Sequence, residues 1–242
     1  MLSFGLTGTA GALDFNGNGT VSPQMDISGE AVVEAETSAP LVALFGLTPP
    51  VSDDQPARLD IKAAGTASDG VMADAALQVF GARLDYRGTF SPMSPGFGID
   101  GKLTLRSTDV SHLAAATGIP LAAAPKGVLV VDSAISGTGK GWTLPDLSGR
   151  LDGKTFSGKL EFDSAFKFSG EFSPDTIALR DVLAPVFLSW SGAATDIESS
   201  FASGLPLGLL GEIWIRPKTL QIHDSFAAKG AEIGRASCRE RV

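Results

Sequence analysis

Two histidines, one cysteine and a scatter of carboxylates are all that this sequence offers to catalysis. His112 and His223 are far apart in the chain, and neither stands with a second His or Cys at ligand spacing, so each reads as a surface or cap residue. Asp53, Asp54 and Asp152 lie among loop residues without the partner carboxylate that paired acid–base chemistry needs. A serine nucleophile would need an elbow such as G-x-S-x-G, and the chain has none. Asp14-Phe15-Asn16-Gly17-Asn18-Gly19 copies the first half of a calcium loop, in which oxygens at alternate positions face the cation. The twelfth position is Met25 where a bidentate Glu is required, so a polar turn is expected. Gly137-Thr138-Gly139-Lys140-Gly141 lacks the spacer and the hydroxyl of a phosphate loop and reads as a hairpin turn. The expectation is a protein that is not an enzyme, with no cofactor and no metal.

What the sequence does carry is pattern. From Phe156 to Phe162, Phe156, Gly158, Leu160 and Phe162 alternate with Ser157, Lys159 and Glu161, the period of two of a half-buried strand. Phe166, Phe168, Gly170 and Phe172 alternate in the same way with Lys167, Ser169 and Glu171, and Asp163-Ser164-Ala165 is short enough for a hairpin loop. After Ser173-Pro174 the apolar spacing of Leu179, Val182, Leu183 and Val186 changes to three or four, which predicts a short helix opened by Asp181.

Similar runs precede this one. Strands are expected over 2–12, 13–20, 27–36, 58–66, 71–80, 83–90, 97–106 and 127–137, with Asn16-Gly17 and Asn18-Gly19 as turn positions. Ser38 and Pro40 introduce a short apolar run that Gly46 closes, and Thr108-Asp109 opens a second short helix that stops at Gly118. These glycines lie 72 residues apart (118 − 46), and at the same offset Ile27 matches Ile99, Leu41 matches Leu113 and Asp60 matches Asp132. A repeat of several strands and one short helix follows, with units at 1–56 (partial), 57–125 and 126–204, then a C-terminal strand region at 205–231. Glu212–Arg216 and Thr219–His223 read as a hairpin around Pro217-Lys218. The fold class expected is mainly β: an elongated, curved, antiparallel sheet forming an open groove, built of repeats with short helices.

Composition bounds the rest. The net charge of −8, with 43% hydrophobic and 19% charged residues, describes an acidic, folded chain and no nucleic-acid binder. No apolar run reaches the roughly 18 residues of a membrane span, and MLSFGLTGTAG reads as mid-strand, so Met1 is expected to be internal to a longer protein. Ile233 to Val242, IGRASCRERV, back-translates into a common short-read sequencing adapter. Residues 232–242, which hold the only cysteine, Cys238, are therefore expected to be foreign and to pack on nothing.

Two readings fit the row of apolar side chains on successive strands, among them Leu77, Leu84, Tyr86, Phe90, Ile99, Leu103 and Leu105. They fill a sandwich core, or they line an open trough that stays apolar for a ligand. The phrase DLSGRLDGKTFSGKLEFDSAFKFSGEFSPDTIALRDVLAPV (146–186), its weaker counterpart over 77–116 and the ending LPLGLLGEIWIRPKTLQIHDSFAAKGAEI (205–233) resemble the AsmA family of Gram-negative envelope proteins. That resemblance implies a grooved β-structure on the periplasmic side of the inner membrane, held by an N-terminal anchor that this sequence does not contain. It also implies movement of phospholipid towards the outer membrane, or support of outer-membrane assembly. Phe156, Leu160, Phe162, Phe166, Phe168 and Phe172 are the residues then expected to contact acyl chains. The alternative is a structural or adhesive secreted β-domain without ligand.

Overall fold

The computed structural model describes residues 1–45, 54–66, 68–92, 97–116, 126–165, 167–178, 211–223, 226–230 and 235–238. Strands β1 (Leu2–Ala10), β2 (Leu13–Val21) and β3 (Asp26–Ala35) lead to helix α1 (Ser38–Ala43). Strands β4 (Ala57–Thr66), β5 (Gly70–Val79), β6 (Ala82–Ser91) and β7 (Gly98–Ser107) lead to helix α2 (Val110–Ala116). Then come β8 (Leu129–Thr138), β9 (Gly141–Leu151), β10 (Lys154–Asp163) and β11 (Phe168–Pro174). The last strands are β12 (Thr176–Ala178), β13 (Gly211–Ile215), β14 (Thr219–His223), β15 (Phe226–Lys229) and β16 (Arg235–Cys238).

The fold is mainly β, as the alternation predicts. Strands β1 to β11 pair antiparallel in chain order, and β13 and β16 extend them to a thirteen-stranded open sheet. At a spacing of about 4.8 Å per strand, this ladder is roughly 60 Å long. Tight turns make the meander possible. The β5–β6 turn places Phe80 and Gly81 at φ 52° and 68°, and the β9–β10 turn places Asp152 and Gly153 at 48° and 79°. Positive φ at both central residues is the geometry whose twist matches paired strands.

The 72-residue repeat is present in the elements themselves. β3 (26–35), β4 (57–66) and β6 (82–91) recur with both ends displaced by 72 as β7 (98–107), β8 (129–138) and β10 (154–163), and α1 recurs as α2. One departure has a local cause. β9 is one residue longer than β5, and its pairing with β10 slips between Gly158 and Leu160, where Pro145 and Asp146 together face Lys159. Proline has no N–H for the ladder, so the extra residue is absorbed as a bulge.

Four expectations need correction. Asn16–Gly19 is not a turn: it runs through the middle of β2, paired on both sides, and the turn lies at Gly11, whose φ is 62°. Two flanking strands outweigh the local turn preference of Asn-Gly, and the Asn18 amide donates across the sheet to Glu30 (3.0 Å). The 212–216 and 219–223 runs are not a hairpin. β13 lies parallel to β11 while β14 lies parallel to β12 in a separate three-stranded sheet, so the main sheet is mixed rather than wholly antiparallel. Backbone bonds carry the two segments side by side through the buried Pro217, from the N–H groups of Arg216 and Lys218 to the carbonyls of Phe172 and Pro174. Finally, the 232–242 segment does not lie free, because Arg235–Cys238 pairs antiparallel with β13. The unpaired edge of β13 offers backbone donors and acceptors to any extended segment, whatever its side chains. The helix expected after Asp181 lies outside the described residues.

Candidate functional site

Cross-strand register sorts the side chains of the sheet onto two unlike faces. On one, Phe15, Val33, Leu59, Leu77, Leu84, Leu105, Val131, Gly149 and Phe156 stand directly opposite one another, each on the next strand. Parallel rows flank it, one of which runs Val71, Phe90, Ile99, Gly137, Trp142, Phe162, Phe168. From β1 to β11 the only charged residue in register with these rows is Lys154, at the mouth of its hairpin. The face is therefore apolar over eleven strands.

The other face carries the charge. Arg58 bridges Glu34 and Asp60, Arg83 pairs with Asp85 (2.8 Å) and Arg87 with Asp74 (2.5 Å). Bonding to Arg58 holds the Asp60 carboxyl below the usual carboxylate range, and Asp60 in turn strengthens the hold of Arg58 on its proton. Two concavities, of about 580 and 630 Å³, also lie on this side, around Lys62 and Arg87 and around Glu34 and Arg58. Neither opens onto the apolar face, which is an open floor rather than an enclosed pocket.

Short side chains and glycines make that floor level. A Cβ at Gly19, Gly149, Gly170 or Gly211 would run into the side chain of Phe4, Phe156, Leu160 or Phe168, because each of these lies across a glycine of the next strand. A large ring lying flat covers the neighbouring backbone and leaves a smooth apolar surface.

The five expected contact residues that are described come together. Phe162 faces Phe168 across the β10–β11 pair, with ring centroids 6.2 Å apart, and Phe156 meets Phe172 at 5.1 Å. Leu160 sits between them over Gly170, and all five are half-buried. Phe166 lies outside the described residues. The sequence reading missed Trp142, whose ring stacks on Phe162 at 3.8 Å and 10°. It also missed Ile213 and Ile215, which the parallel strand β13 brings beside Gly170 and Phe172. Trp142 and Leu144 alternate out of phase with Leu147, Gly149 and Leu151, and the two phases share a face only through the bulge at Pro145-Asp146. That slip in the alternation was the available signal.

One margin of the floor is covered. Leu41 of α1 is fully buried among Leu13, Val33, Ala35 and Ala57, and the Phe80 N–H donates to Ser38 Oγ (2.8 Å), fixing α1 to the β5–β6 turn. Val42 shares a cluster with Phe80 and Ala116, so α2 follows α1 along the same margin. Asp109 accepts the Ser111 N–H (3.0 Å) at the start of α2, and this amide bond holds its carboxyl below the usual range.

Among the described residues no group of three or more His, Cys, Asp and Glu side chains is placed to hold a metal ion, and no helix is long and apolar enough to cross a membrane. No family model, curated protein or solved structure matches the chain.

Proposed function

We propose that this chain is a segment of an AsmA-like envelope protein that carries phospholipid acyl chains on the periplasmic side of the inner membrane, towards the outer membrane. One observation carries the proposal: an apolar face that continues over eleven strands with a single charged residue, at its rim, and that α1 and α2 cover along only one margin. Each methylene taken from water gains about 0.8 kcal/mol. A lipid leaving a bilayer gives up that gain at every exposed position, so a path between membranes has to be apolar without interruption. A charged residue in the floor would have to be desolvated against hydrocarbon, at a cost of several kcal/mol. Carriage of this kind makes and breaks no covalent bond and asks for no catalytic residue.

The test is a photoreactive amino acid at Phe168, introduced into the full-length protein in its native envelope. Capture of phospholipid is the expected result. Crosslinks to protein alone would overturn the proposal and point to a structural β-domain whose floor is covered by another polypeptide.

A further inference from the structure

The apolar face has two unlike margins. At one, α1 and α2 close over the floor, with Ser38 and Leu41 both at 0% exposure. At the other, the strands end in turns and large side chains reach water: Phe90 is 37% and Phe97 48% exposed, and the half-buried Trp142 lies stacked on Phe162. This second margin also bears cations. Lys140 occupies the β8–β9 turn and Lys167 directly precedes β11, both exposed. Asp163 stands between them: Gly141 pairs with Asp163 across the sheet, and the Asp163 N–H donates to the Lys167 carbonyl (2.9 Å). Two strand spacings, roughly 10 Å, therefore separate the backbones that carry the two ammonium groups. The carboxylate between them is already engaged, since Asp163 Oδ1 accepts the N–H groups of Ala165 (2.8 Å) and Lys167 (2.9 Å).

Resting on the phospholipid reading above, we infer that the lipid lies along the strands of β8 to β11 with its phosphate at Lys140 and Lys167 and its acyl chains running from Trp142, Phe162 and Phe168 towards the helix-covered margin. Three physical requirements agree. A phosphate cannot be carried under the helices without losing its water, whereas at the turns it keeps water and gains two cations in a chain whose net charge is −8. The floor from Phe162 to Phe156 spans six residues, roughly 20 Å, which accommodates the roughly 15 Å that one leaflet of acyl chain occupies in a bilayer. Indole and phenyl rings next to lysines are the side chains that settle where hydrocarbon meets headgroup.

Trp142 reports directly on this orientation. In the full chain with Trp190→Phe and Trp214→Phe, phosphatidylglycerol brominated close to the headgroup should quench Trp142 more strongly than phosphatidylglycerol brominated close to the methyl ends. The reverse order would overturn the orientation while leaving lipid binding intact. Absence of quenching by either lipid would overturn the phospholipid reading itself. In the same protein Lys140→Ala with Lys167→Ala should weaken phosphatidylglycerol binding about tenfold, the effect of losing one charge-assisted contact. Unchanged affinity would remove the two lysines from the site. Both substitutions lie in exposed turns, so the fold should tolerate them.

Discussion

Leu41→Ala should cost the protein about 3–5 kcal/mol, although the helix that carries Leu41 is only six residues long. An isolated helix of that length does not form in water, so α1 exists because Leu41 and Val42 are buried and Ser38 is tied to the β5–β6 turn. Leu41 is at 0% exposure, among Leu13, Val33, Ala35 and Ala57. Truncation loses the transfer energy of the side chain and leaves a cavity, and these together set the magnitude. Against a typical total of about 5–15 kcal/mol, the loss would be large. It would also loosen the cover over Phe15, Leu59 and Leu77. Urea unfolding followed by tryptophan fluorescence and circular dichroism measures it, with Leu113→Ala as the internal comparison. Leu113 is the repeat equivalent of Leu41 in α2 but is half-buried, so its truncation should cost clearly less. Equal costs at the two positions, or a cost below about 1 kcal/mol for Leu41→Ala, would refute the account of a helix-clamped margin.

Other expectations concern the sheet itself. Gly88→Ala should destabilise by about 1–3 kcal/mol, because a Cβ there would overlap the Asp100 carbonyl oxygen and the Gly101 Cα, both backbone. Gly8→Ala, with nothing within 4 Å of the added carbon, should be near neutral; paired denaturation curves decide between them. The Asp60 carboxyl is held below the usual range by Arg58, so its contribution to stability is complete above the unfolded-state carboxylate pKa and is lost as the pH falls through its lower folded value. Asp60→Asn should therefore flatten the acid limb of a stability–pH profile and leave its neutral shape unchanged; an unaltered acid limb would contradict the pairing.

Much of this architecture is legible in the chain because each strand has one wet and one dry face. The alternation of Phe156, Gly158, Leu160 and Phe162 suffices to place β10, and the match of Leu41 to Leu113 at an offset of 72 anticipates the recurrence of α1 as α2. Features set by distant partners are not legible in this way. Asn16–Gly19 has the chemistry of a turn and becomes mid-strand because β1 and β3 flank it. The parallel approach of β13 to β11 joins segments about forty residues apart, and no local pattern encodes it. Trp142 stood apart from the Phe row because Pro145 and Asp146 shift the alternation by one residue, and the bulge restores it to the common face. Within the candidate site, residue type and spacing identify which side chains share a face, while neighbours contributed by β9 and β13 depend on pairing alone.

The central claim is that the uncharged face, and not the charged one, holds lipid. Phe156 and Ser157 are adjacent on β10 and point to opposite faces, and the cross-strand partners of Ser157, Ser148 and Ser173, are uncharged. The decisive measurement is the amount of phospholipid that co-purifies with the full-length protein from a Gram-negative host, quantified by mass spectrometry for Phe156→Asp and Ser157→Asp. Phe156→Ser accompanies them as a variant that breaks the apolar surface without adding a charge. Loss of lipid in both Phe156 variants, with Ser157→Asp retaining it and circular dichroism unchanged, is what the account predicts. Equal lipid in all of them, or loss in Ser157→Asp alone, would contradict it.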